Sequence, residues 1–200
     1  MPKELLYTSS IKDMPLMFSE MKRTAILLCD GKSDDEIVSL SMEKNIYQLD
    51  KPKRRRDVPL RMIKRLSGIG QALIEVIASG HDADAKLIAF LSLMKADRLL
   101  FEYMCEVYSD RHNAGYSELT DRDFLDFIER KAQNSETVAK WSTPNLASVR
   151  GKIKSSLSDA GLAKRSGDHL LIQKPIVDDG LRKLLNEADK VYARAMLMEV

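Results

Sequence analysis

The stretch that most constrains this chain is residues 82–111. Leu87, Ile88, Phe90, Leu91, Met94, Leu99, Leu100, Tyr103, Met104, Val107 and Tyr108 cover more than one face of any helix drawn through it. A helix that is apolar on several sides has to be surrounded by others. The N-terminal part is therefore expected to be a bundle of about five or six helices packed on this segment. Its methionines and aromatics read as core filling rather than as the lining of a cofactor pocket.

The preceding sequence supplies the partners. Residues 5–15 read as irregular or extended. Residues 16–30 carry Met17, Met21, Ile26 and Leu28 at mostly helical spacing, and Gly31 stops them. Ser33 followed by Glu36 is a capping box that opens a second helix to about Lys44, with Ile37 and Leu40 inward and Asn45 at its end. Ser67-Gly68-Ile69-Gly70 bends the path before an apolar helix over residues 71–78, closed by Ser79-Gly80. The GIG lacks the GxxxxGK[ST] pattern and a preceding strand, so it reads as a bend rather than a phosphate loop.

Charge is segregated along the chain. The formal net charge is only +2. Yet residues 51–65 hold Lys51, Lys53, Arg54, Arg55, Arg56, Arg61, Lys64 and Arg65 against the single acid Asp57, while residues 121–136 are acidic in excess. The KPKRRR run leads through Asp57 and Pro59 into a helix whose apolar positions include Leu60, Ile63 and Leu66. Two readings stay open here: a solvated linker before an amphipathic helix, or a patch that contacts phosphates and releases their counterions. Aromatic residues are absent from the run, so base stacking is not supported.

From the turn His112-Asn113-Ala114-Gly115 the character changes. Thr120 with Asp123 caps a helix to about Lys131, and Ser135 starts a shorter one. Ser142-Thr143-Pro144 sets a cap before a first-turn proline, which favours helix initiation. The helix that follows carries Leu146, Val149, Ile153, Leu157 and Ala160 as one stripe. Ser148, Gly151, Ser155 and Ser158 fall on its opposite side, and Arg150, Lys152 and Lys154 supply charge. Such a face suits a sugar-phosphate backbone better than base edges. Gly161 ends the helix, Lys164 and Arg165 make the next turn basic, Ser166-Gly167 forms its tip, and residues 169–177 alternate as a strand. The order helix, helix, helix, hairpin is that of a winged helix-turn-helix, although winged modules also dock proteins. A final helical region with Leu181, Leu184, Leu185, Ala188, Val191, Tyr192 and Ala195 is expected to lock this module onto the bundle. The expected division is a helical bundle over residues 1–115 and a winged-helix domain over residues 116–200.

Other classes find no support in the residues. Cys29 and Cys105 form no CxxC pair and sit in apolar patterns, so a reduced, cytoplasmic setting is the simplest reading. The most apolar run, residues 87–94, is far short of the ~20 residues a membrane helix needs. His81, His112 and His169 are scattered and suggest no metal site. No carboxylate pair, activated nucleophile or cofactor motif can be assembled, so neither enzyme activity nor a cofactor is expected.

Several separate stretches together resemble one family. These are Ala25-Ile26-Leu27-Leu28 with Gly31, Asn45-Ile46-Tyr47-Gln48 followed by Arg54-Arg55-Arg56, Arg98-Leu99-Leu100 through Val107-Tyr108, and Trp141-Ser142 through Ile153, Leu157 and Asp159-Ala160-Gly161-Leu162. Over nearly its full length the chain resembles the BrxA family of accessory proteins from BREX phage-defence systems. The resemblance implies a mainly α protein, with an N-terminal bundle similar to the NusB fold and a C-terminal winged-helix unit with a short β-hairpin and a last helix. It also implies binding of double-stranded DNA in bacterial defence, with other BREX proteins as further partners. The residues expected to bind DNA follow from the charge map: the eight cations of residues 51–65, and Ser148, Arg150, Lys152, Lys154, Ser155, Lys164 and Arg165. Docking to acidic partner proteins, or binding RNA by analogy with the NusB fold, are the alternatives.

Overall fold

A computed structural model describes residues 5–200. The chain is mainly helical with a small three-stranded antiparallel sheet, and it divides into two compact units: Leu16–Ala96, and residues 5–15 together with Asp97–Val200. The sequence expectation put the boundary at residue 115, whereas the units part between Ala96 and Asp97. The break is local in origin. Asp97 is extended and its carboxylate accepts the Leu100 N–H at 3.0 Å, ending one helix and capping the next.

The first unit holds α1 (Phe18–Cys29), α2 (Asp34–Lys44), α3 (Pro52–Leu66), α4 (Gln71–Ser79) and α5 (Asp82–Ala96). Helices α1, α3 and α4 pack on α5, in which every residue from Leu87 to Met94 is buried. Met21 and Ala25 of α1, Met62 and Leu66 of α3, and Leu73 and Ile77 of α4 are likewise buried, whereas Ile26 faces outward. The Ser33–Glu36 capping box forms, and Asn45 ends α2 with a left-handed backbone. A side chain on Gly80, which closes α4, would lie 2.5 Å from the Val76 carbonyl oxygen, so only glycine fits there.

The basic run is not a loop leading into a helix near Leu60, because α3 already begins at Pro52, where a missing N–H costs nothing. Pro59 lies inside that helix. It cannot donate to the Arg55 carbonyl one turn back, and the buried Ser41 hydroxyl of α2 takes the vacant acceptor at 2.5 Å. Leu60, expected inward, is exposed.

In the second unit α6 (Arg98–Tyr103) runs through a π-helical stretch, Met104–Ser109, into α7 (Asp110–Asn113). A short strand follows, β1 (Glu118–Leu119), then α8 (Asp121–Gln133), α9 (Glu136–Ala139), α10 (Thr143–Asp159), β2 (Ala163–Ser166), β3 (His169–Ile172), α11 (Asp179–Leu184) and α12 (Glu187–Ala195). The caps at Thr120, Ser135 and Ser142 form as the sequence indicates. The sheet order is β1-β3-β2, with Leu119 opposite Leu170 and Ser166 opposite His169. Gly167, at φ +57°, and Asp168 make the two-residue turn of the hairpin.

Tyr108 pins the base of that hairpin from the π-helical stretch. Its buried hydroxyl lies 2.9 Å from the Leu162 carbonyl oxygen and 2.8 Å from that of Gln173, while the Gln173 N–H donates to Leu162. The strand expected over residues 169–177 accordingly ends at Ile172. The expected C-terminal helix is split by extended Leu185 into α11 and α12, and Leu184 and Val191 are exposed rather than part of a buried stripe. Residues 5–15, expected to go with the bundle, belong to this second unit, where a 3-10 turn at Ser10–Lys12 seats buried Ile11 against α10. Among the described residues no helix is long and apolar enough to cross a membrane.

Candidate nucleic-acid interface

Helical geometry sorts the eight cations of residues 51–65 into two sets. Lys53, Arg56 and Lys64 are exposed along one stripe of α3, spanning about 16 Å at the usual rise of an α-helix. Lys51 is exposed at its N-cap, and Arg61 is half-exposed beside the stripe. None of these five makes an ion pair among the described residues. Leu60 is exposed among them.

The other three turn inward. The Arg55 Nε donates to the Leu49 carbonyl at 2.8 Å, and the Arg54 guanidinium reaches the Met17 sulfur at 4.0 Å. Arg65 is only 3% exposed and donates to the Leu16 carbonyl at 3.4 Å. A guanidinium that is buried and bonded cannot meet a phosphate without leaving its partners, so Arg65 drops out of the candidate surface and Arg54 and Arg55 contribute to it weakly.

The second unit also divides its expected residues. Ser148, Lys152, Lys164 and Arg165 are exposed, and Ser155 is half-buried. Arg150 and Lys154 are held by Asp121, in the first turn of α8. One carboxylate oxygen takes Lys154 and the other lies 3.2 Å from Arg150. The Lys154 ammonium also donates to the Asp168 carbonyl in the hairpin turn at 3.1 Å. The acidic excess of residues 121–136 was visible in the sequence, but the pairing of Asp121 with α10 was not, because it joins residues about thirty positions apart. Nearby, Arg111 lies over the Tyr116 ring at 4.0 Å and 3.3 Å from Asp123.

Among the described residues no group of His, Cys, Asp and Glu is arranged to hold a metal ion. Burial raises both thiols, Cys105 to about 11, so neither is poised as a thiolate.

The fold and this surface define a class: a mainly helical protein of two compact units, each presenting basic side chains from a long helix. The model of the BrxA family matches residues 5–189. "BREX protein BrxA" of Bacillus cereus (strain H3081.97) is 33% identical over 200 residues, covering 100% of both chains. The chain belongs to the BrxA family. The crystal structure of an uncharacterized protein from Magnetospirillum magneticum superposes with a TM-score of 0.79 at 18% identity, covering 96% of this chain and 98% of that one, a likeness of fold alone.

Proposed function

We propose that this chain is a non-enzymatic accessory protein of a BREX anti-phage defence system that binds double-stranded DNA, chiefly through phosphates. The observation that carries the reading is the α3 stripe. Lys53 and its neighbours begin a helix whose first turn contains no acid, although cations there oppose the helix dipole by about 0.3–1 kcal/mol each. Folding alone gains nothing from such a placement, and a bound polyanion would relieve it. Family membership supplies the defence context, since the Bacillus cereus relative bears the name BREX protein.

The second unit supports the same reading through its topology. The sequence β1, α8, α9, α10, β2, β3 with sheet order β1-β3-β2 is that expected of a winged helix-turn-helix, in which α10 would lie along DNA and Lys164 and Arg165 would reach phosphates from the hairpin. The small, polar outer face of α10 favours backbone holding over base reading. The likeness of the α1–α5 bundle to the NusB fold remains part of the same proposal.

The test is a fluorescence-anisotropy titration of duplex DNA over a range of salt. Joint replacement of Lys53, Arg56 and Lys64 by Ala should weaken binding and lower the salt slope by about 2–3, at ~0.9 for each phosphate no longer neutralised. An unchanged slope removes α3 from the interface. Competition with structured RNA separates the two nucleic acids. Exposed Leu60, in the middle of the stripe, favours one second reading, in which α3 docks on an acidic face of another BREX protein. Wild-type protein that fails to bind duplex even at low salt would support that reading instead.

A further inference from the structure

Asp121, Lys154, Arg165, Gly167, Asp168 and His169 line a groove of about 520 Å³ between the start of α8 and the hairpin turn. We propose that this groove is a phosphodiester subsite whose place is held, in the free protein, by the Asp121 carboxylate. The inference rests on the DNA-binding reading above and names the group that the second unit would grip.

Three observations converge on it. Arg150 and Lys154 stand one turn apart on α10, so they share a face and repel each other unless an anion lies between them. Asp121 provides that anion, presenting one oxygen to each cation. The two unesterified oxygens of a backbone phosphodiester offer the same pair of acceptors. Second, the anion is the outermost member of the cluster. The Asp121 side chain is 47% exposed, against 20% for Lys154 and 27% for Arg150. The carboxylate can therefore swing into water while its partners stay in place, and an incoming phosphate can approach from the side it leaves. Third, Arg165 stands exposed on the groove wall without an ion-pair partner among the described residues, a further cation for whichever anion occupies the site. Asp168 also lines the groove, and His169 is engaged with Glu118 at 3.4 Å. An exchange of Asp121 for phosphate would couple binding to the hairpin, because Lys154 also holds the turn through the Asp168 carbonyl.

The experiment uses the full chain and a short duplex, titrated by anisotropy at several salt concentrations. Asp121→Asn frees Arg150 and Lys154, so binding should tighten about three- to tenfold at low salt and the slope should steepen by ~1–2. Lys154→Ala removes one of the cations that receive the phosphate, so it should weaken wild-type binding and cancel most of the gain in the Asp121→Asn background. Asp126→Asn is the control for bulk charge, since Asp126 pairs with Arg122 at 2.7 Å and does not line the groove. Asp121→Ser removes the same charge with a residue suited to a helix start, should the Asn variant fold poorly. Equal tightening by Asp126→Asn, or no tightening by either Asp121 variant, overturns the proposal. So does loss of folding in both, because a carboxylate that the fold requires cannot leave its site. Wild-type protein that is folded but binds no duplex at any salt would instead refute the DNA reading itself.

Discussion

Pro59 removes a hydrogen-bond donor from the middle of α3, and the buried Ser41 hydroxyl restores a partner to the orphaned Arg55 carbonyl. This hydrogen bond joins α2 to α3. Ser41→Ala leaves a buried carbonyl unpaired and should destabilise the protein by about 1–2 kcal/mol in a urea melt. Combined with Pro59→Ala, which lets residue 59 donate to Arg55 itself, the same change should cost much less. An equal cost in both backgrounds would show that Ser41 matters for packing alone. The proline was plain in the sequence. Its acceptor's rescue by Ser41 was not, because the hydroxyl comes from another helix.

At the scale of the element, α3 does two jobs with one kind of residue. Arg54, Arg55 and Arg65 hold backbone carbonyls or sulfur within the first unit, whereas Lys53, Arg56 and Lys64 point to solvent. Joint replacement of Arg54 and Arg55 by Ala should therefore lower the midpoint of thermal unfolding, by an amount equivalent to about 1–3 kcal/mol for hydrogen bonds made by charged groups. Replacing the outer three should move it by less than about 0.5 kcal/mol, as is usual for exposed positions. A circular-dichroism melt of both variants checks the division. The number of cations in residues 51–65 is plain in the sequence. Their division into outer and inner sets is not, because it depends on the helical phase, and that is fixed by a start at Pro52. The helix α10 was more legible, since Ser142, Pro144 and Gly161 mark its ends and its apolar positions keep one stripe.

At the scale of the molecule, the N-terminal segment is tied to distant helices by a cluster around Glu102. Its carboxylate accepts from the Tyr7 hydroxyl at 2.7 Å and the Arg98 Nε at 2.8 Å, and lies 2.7 Å from the Lys131 ammonium. Burial works against the charge on Glu102, but the bonds from Lys131, Tyr7 and Arg98 outweigh it and hold the carboxyl below its ordinary value of 4.5. Burial, with the bond to Glu102 adding to it, pushes Tyr7 up to about 12, so it stays a neutral donor. A carboxyl whose folded pKa is depressed contributes stability above the unfolded value and loses it as pH falls through the folded one. Wild-type protein should thus lose stability below about pH 4.5, and Glu102→Gln should be less stable at neutral pH with a flatter decline in acid. Parallel pH profiles of urea unfolding would show otherwise if the cluster were idle.

Features that depend on neighbours along the chain are legible in the residues alone. Capping residues at Ser33, Thr120, Ser135 and Ser142, stops at Asn45 and Gly161, and the apolar density of residues 82–111 follow from the 3.6-residue period and from backbone groups that need local partners. The many weak similarities that placed the chain in the BrxA family are of this kind too. Which residues meet across distance is set by the folded chain. The seating of residues 5–15 with Asp97–Val200, the pairing of β1 with β3, the burial of Arg65 and the capture of Arg150 and Lys154 by Asp121 all join positions far apart in sequence. Packing and Coulomb attraction act through space, and a charge read along the chain carries no sign of whether an opposite charge folds back to meet it.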